Sequence, residues 1–115
     1  MTIDMRALEK LKRVMGGGDD DLRELIESFL EEAPVLVAAL ERAYAESDLA
    51  GARRAAHSLK SNARDMGASE LGETCARIEG CYVAGSPPAV DDIGQVRALH
   101  AQAATELSAL LQQGA

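Results

Sequence analysis

The sequence predicts an all-α fold: an antiparallel four-helix bundle with a short additional N-terminal helix. Three observations carry this expectation. Apolar residues recur at spacings of three and four in each segment between breakers, the period of one helical face. Alanine and leucine are abundant, only 3% of residues are aromatic, and no β-branched run occurs, a composition suited to closely packed helices. With 115 residues, 47% of them apolar, the chain can build one hydrophobic core but not two, so residues 1–115 are expected to form a single domain.

The first apolar series, Met5, Leu8, Leu11 and Met15, runs into Gly16, Gly17 and Gly18, a helix with a glycine stop. Asp19, Asp20 and Asp21 then offer a cap and negative charge for a second helix. Its buried face reads Leu22, Leu25, Ile26, Phe29 and Leu30, then Leu36, Val37, Leu40 and Tyr44. Pro34 interrupts that series by removing a donor and crowding the preceding turn, so one bent helix or two abutting ones are possible; a single bent rod is favoured.

Ser47 or Asp48 is placed to cap a third helix from Leu49 to about Met66, with Gly67 suited to a left-handed stop. Ser69 starts a fourth, with Leu71, Cys75, Ile78 and Tyr82 inward. Gly85, Ser86, Pro87 and Pro88 form the clearest loop. Asp91 or Asp92 would cap the last helix, whose stripe is Ile93, Val96, Leu99, Ala103, Leu107, Leu110 and Leu111. Short connections between amphipathic helices favour antiparallel neighbours.

The net charge of −7 argues against nucleic acid as a partner, since such binders need a basic footprint. No apolar run approaches the length of a membrane span, and the N-terminus lacks the pattern of a signal peptide, so a cytoplasmic monomer is expected. Cys75 and Cys81 match neither a redox nor a zinc spacing and read as ordinary thiols.

The third helix departs from this acidic background. Its core stripe is Leu49, Ala52, Ala56, Leu59, Ala63 and Met66, and helical phase turns His57 well away from it, towards solvent. Arg53, Lys60 and Arg64 lie at −4, +3 and +7 from His57 on the same flank, and Arg54 adds a fourth cation. No acidic residue occurs between Leu49 and Arg64. Ala50, Ser58 and Ser61 are small, which leaves the ring open to another macromolecule. Imidazole keeps a nucleophilic nitrogen near neutral pH, and a lysine close by can make a charge-assisted contact with phosphoryl oxygens.

The segment from Ala56 through His57, Leu59, Lys60 and Ser61 to Gly67-Ala68 resembles the signature of histidine-containing phosphotransfer (HPt) domains, His-x-Leu-Lys-Gly followed by Gly-Ala. The resemblance extends more weakly over most of the chain. It implies that His57 accepts a phosphoryl group through Nε2, that Lys60 contacts the phosphate, and that an unidentified group bonds the other ring nitrogen. Ser61 replaces the commoner glycine but is still small. The implied function is a relay in a two-component pathway, between His57 and the aspartate of response-regulator receiver domains, with a hybrid sensor histidine kinase as a further partner. Magnesium would belong to the receiver, with no cofactor of the chain's own. Arg53, Ser61, Arg64 and Ala50 are candidate partner-facing residues. No glycine-rich phosphate loop is present, so autophosphorylation from ATP is not expected.

Two other readings compete. One is a helical docking module without phosphotransfer, against which the pairing of His57 with Lys60 speaks. The other is a metal or hydrolytic enzyme using His57 and His100, which are far apart in sequence and lack paired ligand spacing.

Overall fold

The computed structural model describes residues 2–14, 16 and 18–113, with the side chain of Asp19 outside the description. Among the described residues there are five helices: α1 (Met5–Val14), α2 (Asp19–Ala45), α3 (Leu49–Asp65), α4 (Ser69–Val83) and α5 (Val90–Gln112). Met15 and Gly17, assigned above to the end of the first helix, lie outside the described residues. The long helices run up and down in a ring, α3 packing on α2 and α4 and α5 closing it against the same two, while α1 leans on α2 and α3. Cross-helix contacts set the antiparallel sense: Arg77 of α4 meets Asp92 of α5, and Arg97 of α5 meets Glu41 of α2.

The core follows the helical stripes. Ile26, Leu40, Leu59, Leu71, Ile78 and Leu107 are fully buried. Leu49 is a correction to the expected stripe: it is 42% exposed, because the first residue of α3 projects beyond the packed length of its neighbours. Ala55 is buried instead. A helix wedged between two others buries a wider arc than a single seam, and alanine lets their backbones approach.

The helix ends show which capping expectations hold. Asp48 caps α3, its Oδ1 accepting from the Gly51 N–H at 3.0 Å. Ser47 instead ends α2 in the left-handed region (φ 57°), with the Asp48 N–H bonded to the Ala43 carbonyl at 2.9 Å. The residue before α2 is Gly18, and the one before α5 is Ala89, neither with a side-chain cap. Asp91 and Asp92 sit inside the first turn of α5, where carboxylates still favour the positive end of the helix. Pro34 lies within one continuous α2, with its ring on the exposed side.

A strap unforeseen in the sequence ties the ends together. Thr2 and Ile3 donate their backbone N–H groups to Glu106 of α5 at 2.8 and 2.9 Å, and the Asp4 N–H bonds to the Gly67 carbonyl at 2.8 Å. Ile3 is buried and forms an isolated bridge with Ala68. The α3–α4 turn is thereby clamped from outside.

His100 is half-buried, as its position on α5 suggested, with its ring 6.4 Å from that of Phe29. Its Nε2 is buried without a partner. Burial, and then the positive charge of Arg97, hold its proton affinity below the ordinary histidine value. The unfolded chain therefore binds this proton more strongly, so stability is full above pH ~6.5 and falls as the pH drops below it. Melting curves between pH 7.5 and 5 are expected to show this loss in wild type, and His100→Leu should reduce it. An unchanged acid slope in the variant would place the sensitivity elsewhere.

Candidate functional site

His57 stands on the outer face of α3 with 60% of its side chain exposed, in agreement with its helical phase. Its ring is not free to spin. Nδ1 lies 2.7 Å from Oε2 of Glu79 on α4, and the other oxygen of that carboxylate accepts from Lys60 Nζ at 2.6 Å. Glu79 thus bridges the histidine and the lysine. The hydrogen bond from Lys60, followed by that from His57, holds the Glu79 carboxyl below the usual carboxylate range against the opposing effect of burial.

An ionised carboxylate can only accept hydrogen bonds, so Nδ1 carries a proton, and in the neutral ring this leaves the lone pair on Nε2. Glu79 therefore selects the tautomer and fixes the ring plane. Nε2, across the ring from Glu79, is the nitrogen without that carboxylate contact. The same carboxylate is positioned to neutralise a cationic ring formed by attack of Nε2 on an electrophile.

Glu79 is the group that reasoning from sequence missed. One signal was available: His57 and Glu79 are each eleven residues from Ala68, and a tight turn between antiparallel helices brings residues equidistant from it side by side. Cys75, one turn before Glu79, is a buried thiol pushed up to about 12, by burial and then by the charge of Glu79. It stays protonated and takes no part.

Two hollows open beside His57. The larger, about 550 Å³, lies between α2 and α3 and is lined by Glu31, Glu32, Val35, Leu36, Ser58, Ser61 and Asn62. Val35 is 68% exposed, an apolar side chain facing solvent at the mouth of the groove. The second, about 420 Å³, lies on the α4 side and is bounded by Ala50, Arg53, Arg54, Ser58 and Glu79. Ala50 and Arg53 are thus brought to one side of the ring and Ser61 to the other. Arg64 joins neither: it borders a separate hollow with Ala7, Lys10, Leu11 and Val14 of α1, its aliphatic stem facing Gly72. No group of three or more His, Cys, Asp or Glu among the described residues is arranged to hold a metal.

The site is thus an exposed histidine on a bundle helix, with one ring nitrogen tied to a carboxylate and the other open to an incoming group. Residues 24–113 match the model of the Hpt domain family, and the chain belongs to that family. The crystal structure of histidine-containing phosphotransfer protein B (HptB) from Pseudomonas aeruginosa PAO1 is similar, with a TM-score of 0.88 and 26% identity over 97% of this chain and 96% of that one. The HPT domain of the Hpt sensor hybrid histidine kinase from Shewanella shares the fold, with a TM-score of 0.83 and 16% identity over 97% of this chain and 95% of that one. No curated protein matches the chain. The protein is a histidine phosphotransfer protein of two-component phosphorelay signalling, a family whose partners are response regulators or histidine kinases. Among the described residues no helix is long and apolar enough to cross a membrane.

Proposed function

We propose that His57 is the phosphoacceptor and that it passes the group reversibly to and from the aspartate of receiver domains. The observation that supports this most is the Nδ1–Glu79 hydrogen bond of 2.7 Å on an otherwise exposed ring. In the forward direction Nε2 attacks the phosphorus of an aspartyl phosphate. The N–P bond forms as the acyl O–P bond breaks, and the aspartate leaves as a carboxylate. The ring becomes cationic, and Glu79 balances that charge through the proton retained on Nδ1. Magnesium would be held by the receiver, not by this chain. Lys60 anchors the Glu79 carboxylate and thereby steadies the ring.

The groove around Val35 and Leu36 is the docking face, an apolar centre with the acidic residues Glu31 and Glu32 at its rim. Ala50 and Ser61 keep the approach open on either side of the ring. A cytoplasmic monomer is the setting in which such a relay operates.

Incubation with phosphorylated receiver domains tests the reading. Wild-type protein should gain acid-labile phosphate, and protein left unlabelled by every cognate receiver would overturn it. Glu79→Leu should slow transfer by about 10- to 100-fold, the size of loss found when the hydrogen-bond partner of a metal-bound histidine is removed. Glu79→Gln keeps an acceptor for Nδ1–H and should recover most of the rate. Ring ¹⁵N shifts that report the same tautomer in wild type and Glu79→Leu would contradict the orienting role.

A further inference from the structure

The family motif assigns the phosphate to Lys60, yet in this structure Lys60 is already engaged. Its ammonium lies 2.6 Å from Glu79, and only 20% of the side chain is exposed. Drawing it away would leave the carboxylate with the ring alone. Two other cations stand beside the ring. Arg53 and Arg54, one turn before His57, line the same hollow as the imidazole and are exposed. Neither has a carboxylate partner among the described residues, whereas Arg23, Arg77 and Arg97 are all ion-paired.

Direction and charge both favour these arginines. Helical side chains lean towards the N-terminal end of their helix, so the His57 ring covers the turn that carries Arg53 and Arg54. The hollow on the opposite side of the ring has Glu31 and Glu32 on its wall, which would repel a dianionic group. The Arg side sets two exposed guanidinium groups against one carboxylate, Glu79, which Lys60 and His57 already hold, and guanidinium forks match phosphoryl oxygens in pairs.

Building on the assignment of His57 as phosphoacceptor, we propose that the phosphoryl group on Nε2 is held by the guanidinium groups of Arg53 and Arg54, while Lys60 stays on Glu79. The hollow bounded by Ala50, Arg53, Arg54, Ser58 and Glu79 is then a phosphoryl-binding site as well as a rim for the partner. Lys60 acts on the phosphate indirectly, by holding Glu79 and so the ring.

The test uses phosphoramidate, a small donor that labels histidine without a docking partner, so phosphoryl binding is separated from receiver recognition. The double variant Arg53→Gln/Arg54→Gln should be labelled about 10-fold more slowly than wild type at limiting donor, with a larger loss than Lys60→Gln. The side-chain Nε–H resonances of Arg53 and Arg54 should shift on phosphorylation of the wild type, while those of Arg77 and Arg97 stay in place. Both arginines are exposed, so the double variant should keep the helical content of wild type. Wild-type rates in the double variant, or unmoved Arg53 and Arg54 resonances in the phosphorylated protein, would overturn this assignment and leave the His57 relay standing. A wild type that takes phosphate from neither phosphoramidate nor receivers would remove the relay itself.

Discussion

His57→Gln is expected to accept no phosphate from any phosphorylated receiver, while melting within about 2 °C of wild type. The two halves of this expectation come from the same geometry. The side chain is 60% exposed, so its removal opens no cavity, and Lys60 remains on Glu79 to keep that carboxylate paired. Nothing else nearby can replace the lost nucleophile. Ser58 and Ser61 are hydroxyls without a base, and the one other histidine in the sequence, His100, has its Nε2 buried. Acid-labile phosphate surviving on the variant would mean that the acceptor is another residue. A large drop in melting temperature would mean that the ring has a packing role that its exposure does not show.

The helical phase of α3 was readable because its core stripe is long and regular. That regularity turns His57 out of the core and sets Arg53 beside it, but it also groups Arg64 on that flank, whereas Arg64 borders a hollow with α1. The arrangement of Glu79 was not readable in the same way. Its position depends on how two helices pair across the Gly67 turn, and α4 by itself shows only a carboxylate next to the apolar Ile78. Consequently Lys60 looked like a free cation, although a carboxylate on the next helix already holds it.

The groove proposed for docking went unforeseen for a different reason. Val35 falls out of phase with the buried stripe of α2, and a stripe reading discards such residues as incidental. An apolar side chain out of phase on the helix beside the histidine is the signal that points to the groove. Caps were legible only where the geometry is local: Asp48 bonds within its own turn, whereas the strap from Thr2 to Glu106 spans 104 residues and has no sequence signature.

Gly67→Ala should be the most damaging single substitution outside the core, costing about 2–4 kcal/mol and lowering the melting temperature by roughly 10 °C. Gly67 (φ +77°) closes α3 with a paired motif: the Ala68 N–H bonds to the Ala63 carbonyl at 2.8 Å, and the Gly67 N–H to Arg64 at 3.1 Å. Gly85 (φ +85°) closes α4 the same way, with Ser86 bonded to Cys81 and Gly85 to Tyr82, both at 3.0 Å. The two sites differ in what lies outside them. A Cβ on Gly85 would meet nothing within 4 Å, but one on Gly67 would sit 2.5 Å from the Asp4 carbonyl oxygen and 3.1 Å from its nitrogen. Those are backbone atoms, held by the strap, and cannot step aside as a side-chain tip would. Gly85→Ala should therefore lose only the left-handed backbone term, about 1–2 kcal/mol, and the excess at Gly67 measures the close approach of the strap. Equal losses at the two glycines, in urea or thermal unfolding, would show that the N-terminal segment does not press on the turn. Because that turn sets the register between α3 and α4, the Gly67 variant should also slow phosphotransfer by loosening His57 from Glu79, an effect Gly85→Ala should not share.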